Sequence, residues 1–126
     1  MSDNPNHLFS LHYALLLTTW HQQPQFITLA QQEKISQIIL GLHHQDQRWT
    51  ITHVKVEPTL VRIDLATLPS VMPANFVKTI KNVSARLWLQ QIVNHPLHLW
   101  SCHYALVTIG CHNVNHLAQQ LTKYEN

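Results

Sequence analysis

The side chains of this sequence that can do chemistry beyond packing are eleven histidines, two cysteines, three tyrosines and four tryptophans. His112 and His116 stand four apart, the spacing that turns two imidazoles toward one metal ion from a helix face. No glutamate follows the first of them, so the pattern of a zinc hydrolase is incomplete. His95, His98, His103 and Cys102 gather in "NHPLHLWSCH" and offer nitrogen and sulfur donors suited to zinc. Neighbouring residues of a strand face opposite ways, however, so Cys102 and His103 cannot both aim at one ion. A nucleophilic thiol needs a base oriented beside it, and His103 adjoins Cys102 in sequence only. His43 and His44 fall in a polar loop. Trp20, in "TWHQQPQF", is placed to stack on an unpaired base. Trp49, Trp88 and Trp100 read as core.

Composition sets the frame for these groups. The 126 residues suffice for a single domain, 1–126, with a core of its own. Hydrophobic residues make up 45% and charged residues only 11%, against roughly 25% charged in soluble domains. Gln, His, Asn and Thr must carry the polar surface, which favours association over solitary solubility. A formal charge of +2 is a weak footprint for a polyanion, for which a clustered basic face is expected. Acidification would add charge through the imidazoles. Cys102 and Cys111 do not make a disulfide framework, and free thiols in a reducing cytoplasm are expected. "MSDNPNHLF" has no basic segment leading into an apolar one, so no signal peptide is expected, and no run approaches membrane-spanning length.

The elements that must position these groups follow from periodicity. Leu11–Thr18 is a nearly continuous apolar run and reads as a strand covered on both faces. Thr28 is a good N-cap for a helix over Ala30–Leu42, where Ile35, Ile38, Ile39 and Leu42 recur at three and four. "RWTITHVKVEP" reads as a strand with Trp49, Ile51 and His53 on one face, and Pro58 interrupts it before "TLVRIDL". Phe76–Val93 reads as a second helix, capped by Asn75, with Phe76, Ile80, Val83 and Leu87 inward. "SCHYALVTIG" is a further strand, and Asn113–Tyr124 a last helix with Val114, Leu117 and Leu121 inward. The order β-α-β-β-α-β-α predicts an α+β fold: a ferredoxin-like split β-α-β sandwich, its antiparallel sheet covered by helices on one face, plus a C-terminal helix.

Three segments carry a resemblance. "HYALLLTTWHQQPQF", "VEPTLVRIDL…FVKTIKNVSARLW" and "LWSCHYALVTIG" stand in the order and spacing of the small single-tyrosine transposases of bacterial insertion sequences, the HUH group that includes the REP-associated tyrosine transposases. The third is the most specific, with Trp100, Ser101, Tyr104 and Gly110 at family spacing. The resemblance implies cleavage of single-stranded DNA. A divalent metal held by two histidines polarises the phosphate, and a tyrosine of the last helix attacks it. Aligned on Pro58, the acidic position falls on Thr59 and the two histidine positions on Leu60 and Arg62. Aligned on Gly110, the tyrosine falls on Gln120, and the family's metal-binding glutamine, one turn later, on Tyr124. A four-residue slip would restore Tyr124 as nucleophile but not the histidines. Leucine has no donor atom and arginine stays protonated, so neither can ligate a metal.

The expectation is therefore a transposase-like protein that is not an enzyme, uses no metal or other cofactor, and has kept the scaffold. It would retain binding to hairpin DNA or RNA through one modest patch of Lys55, Arg62, Lys78, Lys81 and Arg86, with Trp20 as a stacking platform. The low charge and the Gln/His surface support an alternative, an accessory subunit that binds other proteins. The resemblance also implies a homodimer, with Tyr104–Ile109 near the dyad.

Overall fold

The computed structural model describes residues 11–42, 48–92 and 98–109. Four strands and two helices alternate along them: β1 Leu11–Thr19, α1 Leu29–Leu40, β2 Trp49–Val56, β3 Leu60–Thr67, α2 Pro73–Leu89 and β4 Trp100–Thr108. The strands form one antiparallel sheet in the order β2-β3-β1-β4. This is the α+β, ferredoxin-like arrangement that periodicity predicts. The helix expected over Asn113–Tyr124 lies outside the described residues, as do Gly110, Cys111, His112, His116, Gln120, Tyr124, His43, His44 and His95. Among the described residues no helix is long and apolar enough to cross a membrane.

Alternation along the strands decides which face the helices cover. Leu15 and Leu17 of β1 and Val61, Ile63 and Leu65 of β3 point inward and are fully buried against Ile35 and Ile39 of α1 and Phe76 and Ile80 of α2. β1 lies between β3 and β4, and Ala14 and Leu16 on its other face are buried as well. This is why its sequence is a continuous apolar run rather than an alternating one.

Local signals fix the ends of the elements. Thr28 accepts a hydrogen bond from the Gln31 amide at 3.1 Å, and the Gln31 side chain accepts from the Thr28 amide at 3.0 Å. The reciprocal pair is a capping box, with a cap contribution of about 1 kcal/mol. The second helix starts earlier than its stripe suggests. Pro73 occupies its first turn and Met72 its N-cap position, so Asn75 is inside the helix and not its cap. Proline's fixed φ suits that turn, where its missing N–H has no intrahelical partner to lose. The inward stripe is also rotated. Ser84 and Trp88 are buried beside Phe76, Val77 and Ile80, while Val83 and Leu87 are only partly covered.

One irregularity reverses a predicted face. The β2–β3 register shifts between Ile51 and His53, a β-bulge that places one extra residue in β2. Trp49 and Ile51 point to the core before it, and Val54 and Val56 after it. His53 is therefore exposed on the outer face rather than sharing a face with Trp49. The segments on either side of Pro58 are antiparallel neighbours, closed by paired hydrogen bonds between Glu57 and Leu60.

Candidate nucleic-acid interface

The five cations expected in one patch are divided by the sheet. Lys55 of β2 and Arg62 of β3 are direct cross-strand partners, and each alternates with inward residues, so both lie on the outer face. Lys78, Lys81 and Arg86 belong to α2, on the opposite side of the sheet. A single flat ligand surface cannot reach both groups.

On the outer face, charge is largely balanced. The Arg62 guanidinium donates from Nε to Asp64 Oδ1 at 2.8 Å and from Nη2 to Oδ2 at 3.4 Å. The side chains are 32% and 16% exposed, so the pair is partly covered and its charges balance each other at the surface. Lys55 is exposed beside it. Leu60, the other position matched to a family histidine, is 9% exposed and pairs with Thr18 across the strands. An alkyl side chain and a guanidinium already held by a carboxylate do not fit a divalent cation.

On α2 the three cations differ. Lys78 and Arg86 are exposed. Lys81 is half-buried and leans to the start of β4: its ammonium donates to the Ser101 carbonyl at 2.8 Å and lies 5.8 Å from the centre of the Tyr104 ring. Three residues on, Ser84 accepts from Trp100 Nε1 at 2.9 Å and donates to the Ile80 carbonyl. Lys81 and Ser84, from the middle quoted segment, thus hold Trp100 and Ser101, from the last. These motif positions join α2 to β4. Lys81 is a tether here and not a bare phosphate ligand, and sequence spacing alone gave no sign of it.

Trp20 lies at the end of β1 in a short 3-10 turn, Trp20–Gln22, and is half-buried. The His21 ring meets it edge-on at 4.3 Å between centroids, and the His98 ring lies 4.6 Å away, tilted 49°. His21 and His98 are exposed. The structure brings both rings to Trp20, whereas sequence spacing places His21 in a loop and groups His98 with Cys102 as a zinc donor. Their only sequence signal was the company of histidines around a loop tryptophan. Cys102 is an exposed free thiol of β4.

The fold and these motif contacts describe a scaffold of the transposase type, and the comparisons with known proteins agree. The family of IS200-like transposases matches residues 7–123. The chain belongs to that family. A solved candidate transposase from Deinococcus radiodurans R1 superposes with a TM-score of 0.80 at 22% identity, over 92% of this chain and 91% of that one. A REP-associated tyrosine transposase bound to a REP hairpin superposes with a TM-score of 0.59 at 11% identity, over 96% and 68%. No curated protein matches the chain.

Family membership overturns one expectation. The chain was expected not to be an enzyme, yet it belongs to a family of transposases, which are enzymes. The expectation rested on two positions of β3 and one beyond Gly110, whereas the match spans nearly the whole chain. The mismatch of Leu60 and Arg62 with a metal site describes those two side chains and does not remove the chain from an enzyme family.

Proposed function

We propose that this transposase-family chain binds a hairpin of DNA or RNA, gripping phosphates with exposed cations and contacting unpaired bases at Trp20. The observation that carries the reading is the family match over residues 7–123, and the structural neighbour captured with a REP hairpin supports it. Lys78 and Arg86 on α2 form one candidate phosphate track, and Lys55 with Arg62 on the outer face a second. Lys81 supports the first by fixing α2 against β4.

The test is a salt titration of binding to hairpin oligonucleotides. If about three phosphates are neutralised, affinity falls by roughly one to two orders of magnitude between about 50 and 200 mM salt. Lys78→Ala with Arg86→Ala, and separately Lys55→Ala with Arg62→Ala, identify the track, because only the pair in contact flattens the salt slope. No binding at low salt would refute the reading and leave the accessory-subunit alternative, to be pursued through co-purifying proteins.

A homodimer joined along β4 is part of the same proposal. β4 ends the sheet, so one of its edges has no strand beside it among the described residues, and Tyr104 and Ile109 are each 42% exposed. A free edge of this kind is suited to strand addition. Light scattering is expected to give twice the chain mass. Tyr104→Lys, which puts a charge beside that edge, should return the monomer mass.

A further inference from the structure

We infer that the turn Trp20–Gln22, together with His98, is a binding site for a single unpaired nucleobase. This deepens the proposed hairpin binding and rests on it. The first observation is strain. His21 and Gln22 have φ of 52° and 53°, the left-handed region that residues with a side chain seldom enter, asparagine, aspartate and histidine more readily than glutamine. Two such residues in succession persist only when the surroundings impose them, and departures of this kind cluster at binding sites.

The surroundings do impose them. The Thr19 amide donates to Thr59 O at 2.9 Å and the Trp20 amide to Leu99 O at 2.9 Å. The Gln23 amide donates to Trp20 O at 3.0 Å, and the Gln25 and Phe26 amides both donate to Pro58 O, at 3.1 and 3.3 Å. The turn is thus pinned to the β2–β3 hairpin on one side and to the approach of β4 on the other. A glycine pair would relieve the strain, but it would remove the imidazole at position 21.

The second observation is what the strain displays. His21, Trp20 and His98 form a row of three rings, with neighbouring centroids 4.3 and 4.6 Å apart, and the two outer rings are exposed. No lysine or arginine stands in this loop, so what the row offers is ring faces rather than a fixed charge. A π-face accepts any base, and stacking on aromatic side chains is the common way to hold a base that has left its helix. A base inside a duplex has both faces occupied and is excluded. The ligand is therefore an unpaired base of a loop, bulge or flank, on either a deoxyribose or a ribose backbone.

The experiment uses the full chain and hairpins of DNA and of RNA carrying 2-aminopurine, either at an unpaired position or within the stem. Fluorescence of the unpaired probe is expected to be quenched on binding, and that of the stem probe unchanged. The sugar that binds more tightly identifies the backbone. His21→Asn suits the left-handed conformation, so its melting temperature should be unchanged or raised. The same substitution, alone or with His98→Asn, should weaken hairpins with an unpaired base about fivefold or more. It should leave blunt duplex binding and the salt slope as they are. Hairpins that bind without quenching, or equally well to His21→Asn/His98→Asn, overturn this inference and leave hairpin binding standing. Failure of every oligonucleotide to bind overturns both.

Discussion

Phe26→Ala is expected to lower stability by about 3–5 kcal/mol, the cost of truncating a fully enclosed aromatic ring. Domains of this kind have only about 5–15 kcal/mol in total, so the variant should unfold at a much lower denaturant concentration with an unchanged m-value. The reason is position. Phe26 has no exposed surface, and its ring meets Trp88 of α2 edge-on at 5.0 Å and Trp100 of β4 at 5.8 Å. Its backbone is held as well, since its carbonyl accepts from Gln32 Nε2 at 3.0 Å and its amide donates to Pro58. The site cannot close over the lost volume without moving the start of α1, the end of α2 and the start of β4 together. Phe26→Leu keeps most of that volume and should cost much less. Equal losses from the two substitutions would show that ring geometry, and not filled space, is what matters.

Ser84→Ala is expected to cost about 1–3 kcal/mol, because it leaves the Trp100 indole N–H buried without an acceptor. Trp100 is 6% exposed, so water offers no easy replacement. Trp100→Phe removes the donor instead, and Ser84 keeps its bond to the Ile80 carbonyl. The double variant should therefore be less unstable than the sum of the two, with a coupling of about 0.5–3 kcal/mol. Additive losses in chemical denaturation would mean that the bond contributes nothing of its own and that both positions act through packing.

Much of this architecture could be read from residue types. Thr28 with Gln31 announces the first helix because a capping box is a local device, made by residues three apart. The apolar run of β1 announces a central strand because only a strand covered on both sides needs no polar face. Asn75 misled because Pro73 also starts helices, and the proline prevailed. Ser84 escaped the inward stripe because a serine there has its partner, Trp100, sixteen residues away. The split of the cations was hidden for a similar reason: periodicity shows that Lys78 and Lys81 share a helix face, but not which side of the sheet that helix covers. The turn at Trp20 was the least legible. Left-handed backbone normally shows itself by glycine or asparagine, and "WHQ" has neither.

The extra residue in β2 also governs how this chain can change. Losing the codon for Thr52 would leave Ile51, His53, Val54, Lys55 and Val56 in plain alternation, with Val54 still inward and Lys55 still outward, because their partners on β3 are already consecutive. Losing the codon for Lys55 instead would carry Val56 to the outer surface. The ribbon can therefore shed a residue at the irregularity without unfolding, but nowhere beyond it.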